Sequence, residues 1–222
     1  MIFVGSDGTA FGAAILYSDS RAQEEAGMVE ARFGRDRLCR GNWKGPLSIL
    51  PKLLWCHKHR TADLACSEHI LLGAHSYLTM KLCGRAVCDR VTASTTGLLR
   101  ADGSGYCNEM IDALLPEATG KLPPLVPGSD SVGALSAAAA AWLGLEDAAC
   151  GQLQVFHGCG DAGATTLGVG AGVEDQPYMY CGTSGWVAAT MRRESELKPG
   201  VFALAHPTDE RCVIAAARSA CS

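Results

Sequence analysis

An α/β fold is what this 222-residue sequence predicts, on three observations. Helical and strand-like patterns alternate along most of the chain. Alanine and glycine are in excess while aromatics make up only 6%, which suits small-residue helices packed closely on a sheet. Hydrophobic residues reach 48%, enough to fill a core at this length. Near residue 175 the pattern changes to strand upon strand. Residues 1–175 are therefore expected to form one domain, and 176–222 the opening hairpins of a second.

The elements follow in order. Ile2 to Val4 and Ala13 to Leu16 read as short strands, with Asp7-Gly8 as a turn between them. Ser20 to Phe33 reads as a helix: Ala22, Ala26, Val29 and Phe33 recur at helical period, and Ser20 and Gln23 have capping-box spacing. Leu50 to His59 is a second helix, with Pro51 tolerated in its first turn. Thr61 can cap a third. His69 to Leu72 reads as a buried strand. Ala74 to Cys83 follows as a helix with Tyr77, Leu78 and Leu82 inward and Gly84 past its end. Thr92 to Leu99 is β-branched, then turn-like. Glu109 to Leu115 is helical and stops at Pro116. Lys121 to Gly128 carries three prolines and reads as a surface crossing. Ser136 caps an alanine run ending at Gly144. Leu153 to Phe156 is a strand and Ala162 to Val173 a small-residue helix. Tyr178 to Cys181, Trp186 to Thr190, Val201 to Leu204 and Cys212 to Ala217 read as strands.

Several function classes are excluded. The net charge is −4, and the longest basic run is Arg192-Arg193, so nucleic acid is not an expected partner. No apolar run is long enough to span a bilayer, and Met1 to Val4 lacks the features of a signal peptide, so a cytoplasmic protein is expected. The 11 cysteines include no C-x-x-C pair, so they read as reduced, apolar side chains rather than metal ligands. His57 and His59 do not share a helix face, and His157 reads as a core or sheet-end residue. No metal site is expected.

The segment carrying the most chemistry is Phe156-His157-Gly158-Cys159-Gly160-Asp161, where a strand turns into a helix. A carboxylate at the open end of a sheet can take the proton of a hydroxyl that attacks a phosphoryl group. The same residue also suits plain helix capping. Gly182-Thr183-Ser184-Gly185 is a glycine-bounded turn whose amides and hydroxyls can cradle phosphate, or an ordinary hairpin turn. Asp19 and Arg21 can hold sugar hydroxyls, or can cap the following helix. No P-loop and no G-x-S-x-G elbow is present.

In order, these segments resemble the FGGY family of carbohydrate kinases, its xylulokinase-like members in particular. Ile15 to Arg21 looks like the family's W-x-D-x-R, with Tyr17 where Trp is usual. Lys52-Leu53-Leu54-Trp55 looks like its K-L-x-W helix, and Ala93 to Leu98 like its A-S-x-T-G-L segment. Gly158-Cys159-Gly160-Asp161 resembles its G-x-G-D motif, and Gly182 to Gly185 its phosphate hairpin. The resemblance implies a partial actin-like ATPase (ribonuclease H-like) fold, with ATP and Mg²⁺ as cofactors and a sugar, probably a pentulose such as xylulose, as acceptor. It makes Asp161 the catalytic base. Asp19 and Arg21 become sugar ligands, and Gly182, Thr183, Ser184 and Gly185 nucleotide ligands. The family's opening D-x-G-T loop and its adenosine loop are not found, so the chain is expected to be truncated at both ends. Two readings follow: part of an ATP-dependent sugar kinase, or a non-catalytic remnant that at most binds a sugar or a partner.

Overall fold

A computed structural model describes residues 1–34, 45–145, 151–181, 185–198 and 200–218. The fold is mixed α/β. Strand β1 (Ile2–Val4) lies between β2 (Ala10–Phe11) and β3 (His69–Leu71), antiparallel to both. Ala13 to Leu16, expected as a strand, is irregular; Ile15 exchanges its two main-chain hydrogen bonds with Met1 (2.7 and 2.9 Å) and the pairing goes no further. Helix α1 (Gln23–Phe33) buries Ala26, Val29 and Phe33 as its period requires. It starts three residues later than expected, because the capping box does not form: Gln23 donates to the Ser20 carbonyl instead.

Helix α2 (Ile49–His59) and the short α3 (Thr61–Cys66) follow. Phe3, Leu53, Ile70, Leu98, Ile111 and Leu115 form the main core between α2, the first sheet and α6 (Asn108–Leu114). Helix α4 (Ala74–Cys83) has the expected bounds and ends on Gly84, whose φ of 73° is one that L-residues avoid. Of its expected inward residues, Tyr77 and Leu82 pack against apolar clusters, and Leu78 is a correction. Leu78 is 52% exposed, whereas Ser76, Thr79 and Met80 are buried. Polar partners inside the molecule override apolar periodicity here.

A second correction falls on Thr92 to Leu99. Strand β4 (Cys88–Asp89) runs into helix α5 (Arg90–Thr95). Asp89 is the N-cap: its carboxylate accepts the Thr92 amide proton at 2.9 Å, which satisfies a donor that a β-branched run would otherwise leave unpaired. Strand β5 (Leu125–Val126), inside the expected surface crossing, pairs parallel with β4. Strand β6 (Ser131–Ala134), which the sequence reading missed, pairs through a register shift with β7 (Gln154–Phe156). Between them α7 (Ala137–Trp142) is capped by the Ser136 hydroxyl, as expected.

Helix α8 (Asp161–Gly168) is shorter than its pattern suggested and lies against β8 (Pro177–Cys181) and β9 (Gly185–Arg192). These strands join β11 (Cys212–Arg218) and β10 (Phe202–Ala205) in an antiparallel sheet ordered β10-β11-β9-β8. The Ala205 amide donates to the buried Ser94 hydroxyl at 3.0 Å, which ties the sheet to α5. The boundary expected at residue 175 falls in the segment between α8 and β8. There Asp175 takes a positive φ of 62° and its amide donates to Thr190. Among the described residues, no helix is long and apolar enough to cross a membrane, and the eight described cysteines are free thiols.

Candidate functional site

The candidate residues fall on two parts of the molecule, each resting on a buried charge. On the first, α2 presents Lys52 and Trp55, three residues apart and so on one face. Lys52 is 3% exposed and donates to the carbonyls of Leu16 and Tyr17, both at 2.9 Å. That clamp fixes the irregular segment leading to Asp19. The Asp19 carboxylate accepts from the Arg21 amide (3.1 Å) and from its guanidinium fork, the shortest contact being 2.6 Å. These hydrogen bonds with Arg21 hold the Asp19 carboxyl below its ordinary range. The guanidinium also stacks over the Trp55 ring, 4.1 Å from its centroid. Asp19 and Arg21 therefore meet, and they present charge and donors outward. Tyr17, at the position where the motif usually has Trp, is 84% exposed.

On the second side, Asp161 is the first residue of α8 and is exposed. Gly160, not Asp161, occupies the cap position; the aspartate accepts only from the neighbouring Ala162 amide (2.9 Å) among the described residues. The glycines of the motif serve backbone approach. Gly158 has a φ of 71° and donates its amide to the Gly128 carbonyl at 3.0 Å. A Cβ on Gly128 would lie 2.2 Å from the Gly158 carbonyl oxygen, and one on Gly160 would lie 2.9 Å from the Thr92 hydroxyl. A Cβ on Gly163, one turn into α8, would fall 2.9 Å from Val91. Only glycines let α8 and its leading turn sit this close to α5.

Cys181 pairs with Gly185 across β8 and β9, next to the residues expected to grip phosphate. Gly182, Thr183 and Ser184 lie outside the described residues; Gly185 opens β9. Helix α8 and this hairpin share one apolar cluster: Ala162 and Trp186 both pack on Ala188, Leu204, Ile214 and Ala216. The Thr166 hydroxyl meets Tyr178 at 2.8 Å, and the Trp186 indole donates to the same phenol at 3.3 Å. The residue after Asp161 and the residue after Gly185 thus pack on the same cluster.

Beneath α8 lies a polar cluster that sequence reasoning missed. Asp89, 1% exposed, accepts from His75 (2.9 Å) and from the Thr92 amide. Burial pushes its carboxyl up, but those hydrogen bonds outweigh burial and leave it below the ordinary value. His157 is fully buried beside it, and burial lowers its pKa to about 4. The one signal available was the Asp89-x-x-Thr92 spacing of a helix cap. A cleft of about 110 Å³ opens at the carboxyl ends of β4 and β5, lined by Asp89, Gly128, His206 and Thr208 among others. Asp19, Arg21 and Asp161 do not line it.

Comparison with known proteins settles the family. The N-terminal domain of the FGGY family of carbohydrate kinases matches residues 1–168. The chain belongs to this family. It is 29% identical over 199 residues to the xylulose kinase of Escherichia coli strain K12, covering 89% of this chain and 40% of that protein. The chain thus spans about 40% of that relative's length. The crystal structure of xylulose kinase from Rhodospirillum rubrum superposes with a TM-score of 0.84 at 22% identity, over 98% of this chain and 44% of that one. Plasmodium falciparum glycerol kinase with ADP gives 0.80 at 14% identity, over 98% and 44%. At these identities the structural matches speak to fold alone. The chain has the mixed α/β fold of the FGGY N-terminal domain and is partial relative to the full kinases.

Proposed function

We propose that this chain supplies the sugar-holding side and the general base of an ATP-dependent kinase acting on a pentulose such as xylulose. The observation that supports the reading is that Ala162, next to Asp161, and Trp186 of the β8–β9 hairpin pack on one apolar cluster. Asp161 accepts the proton of the acceptor hydroxyl as that oxygen attacks phosphorus. Asp19 and Arg21 orient the sugar through charge-assisted hydrogen bonds. The amides and hydroxyls of Gly182, Thr183, Ser184 and Gly185 suit the phosphates of ATP, and Mg²⁺ arrives with those phosphates rather than through a ligand set on this chain. In this reading residues 1–175 are the first domain and 176–222 the start of the nucleotide-binding domain. ATP supplies the phosphoryl group; these residues supply position and a place for the proton.

Calorimetry and turnover with xylulose, ATP and Mg²⁺ test the reading. Arg21→Ala is expected to weaken sugar binding at least tenfold. Asp161→Asn is expected to keep sugar binding and lose about 10²–10⁴ in kcat. Retained turnover in Asp161→Asn, or unchanged sugar affinity in Arg21→Ala, overturns it.

A further inference from the structure

We propose that His75, Asp89 and His157 form a binding site for a transition-metal ion of the zinc type, distinct from any ion carried by a nucleotide. Three strand ends converge to build it: His75 follows β3 in the first turn of α4, Asp89 closes β4, and His157 follows β7. His75 Nε2 lies 2.9 Å from Asp89 Oδ2, His157 Nε2 lies 3.7 Å from the same oxygen, and all three ligand atoms fall within 4.8 Å of one another. Around a tetrahedral zinc with bonds of about 2.0–2.1 Å, ligand atoms sit roughly 3.4 Å apart. The trio needs to shift by only a few tenths of an ångström at the first two separations to hold such an ion.

The orientation of His157 argues for a ligand rather than a simple hydrogen-bonded core histidine. Its Nδ1 meets the Thr79 hydroxyl at 3.1 Å, which suits an N–H on that nitrogen and leaves a lone pair on Nε2. That lone pair faces a carboxylate oxygen at 3.7 Å, too far for a hydrogen bond, with the Ser76 hydroxyl at 3.4 Å as a weak partner. Two electron-rich atoms thus face each other across a gap suited to a cation.

Charge balance points the same way. Asp89 is buried and held ionised, and among the described residues no Lys or Arg pairs with it. Its ionisable partners are imidazoles. A divalent ion supplies the missing positive charge; on binding, Nε2 of His75 gives up its proton and coordinates through its lone pair, with its N–H on Nδ1. The Thr92 hydroxyl, 3.2 Å from His75 Nε2, or a water completes the fourth position. Entry is from the His75 side, where that side chain is 29% exposed. Two imidazoles and one carboxylate favour zinc, cobalt or nickel over magnesium or calcium, which prefer all-oxygen sets. The bound ion would brace α4, the β4–α5 junction and the turn leading to Asp161.

Cobalt titration of the whole, chelator-stripped chain tests this. Expected are one equivalent of Co²⁺ bound, visible d–d absorption of a tetrahedral nitrogen–oxygen site, no near-ultraviolet thiolate charge-transfer band, and displacement by Zn²⁺. His75→Gln, at a half-exposed position, should keep the circular dichroism of the parent and lose at least tenfold in Co²⁺ affinity. His157→Gln should lose at least as much. A wild-type chain that binds no stoichiometric Co²⁺ overturns the proposal, since the trio is then a hydrogen-bonded brace only. A thiolate band on binding, or unchanged affinity in His75→Gln, overturns it equally.

Discussion

Lys52 and Asp89 are both almost wholly buried, at 3% and 1% exposure, and the molecule accommodates them by opposite means. Lys52 gives its protons to two backbone carbonyls, whose partial charges never change. Asp89 accepts hydrogen bonds from one amide and a histidine, with a second histidine alongside, so side chains rather than carbonyls make up most of its polar surroundings. One charge is a fixed strut under the Asp19–Arg21 pair. The other is an adjustable joint under the turn that ends at Asp161. The Asp19–Arg21 pair and the turn leading to Asp161 thus rest on supports of different character.

Removing the adjustable joint should cost most. Asp89→Ala deletes the α5 cap and the histidines' shared acceptor, and is expected to destabilise the fold by about 3–5 kcal/mol in urea unfolding. Lys52→Met should cost less, about 2 kcal/mol, because it removes the buried charge along with its hydrogen bonds and leaves two carbonyls to find water. It should also loosen Leu16 to Asp19 and weaken sugar binding. If the two variants lost equal stability, the distinction between strut and joint would fail.

How much of this was legible in the sequence follows the same division. The bounds of α4 and α7 were readable from local punctuation: Ser136 does cap α7, and Gly84 does end α4. The Lys52–Trp55 spacing was visible as a motif, although its task, clamping Leu16 and Tyr17 and stacking on Arg21, required the fold. The joint was not readable. Its members lie at positions 75, 89 and 157, and only the convergence of three strand ends brings them together. Their presence also explains why Leu78 of α4 is not inward as its pattern suggests. Hydrophobicity favoured Leu78, but Thr79 and Ser76 turn inward to meet His157. In α5, β-branched propensity favoured a strand and lost to the cap that Asp89 provides.

A third buried ionisable group shows whether pH sensitivity extends across the cleft. His206 accepts at Nδ1 from the Asp209 amide at 3.0 Å and from that of Thr208 at 3.3 Å, and burial lowers its pKa below the ordinary 6.5. The folded chain then keeps this ring neutral while the unfolded chain protonates it, so stability falls as pH drops below about 6.5. The loss ends once the native ring also titrates. Unfolding midpoints for His206→Asn should fall less on acidification than the parent's. The difference is bounded at about 1.4 kcal/mol per pH unit, the ceiling for one proton. Identical pH profiles would mean that His206 adds nothing to the acid sensitivity.

The smallest effect on stability, and the sharpest contrast, is expected at Arg21. The Arg21–Asp19 pair is short, yet the arginine side chain is 56% exposed, and solvent screens a pair of that kind. Stacking over Trp55 adds little at so exposed a position. Arg21→Ala should therefore unfold close to the parent's midpoint while losing sugar affinity at least tenfold. The physical reason is that Lys52, not Arg21, holds the loop in place, so deleting the guanidinium removes donors from the surface without moving the backbone that presents them. Comparing Arg21→Ala with Lys52→Met by calorimetry and urea titration separates the two contributions: the first should lose binding with stability kept, the second should lose both. If Arg21→Ala lost stability on the scale of Lys52→Met, the pair would be part of the scaffold, and the outward-facing charge at this position would have no claim to be a substrate ligand.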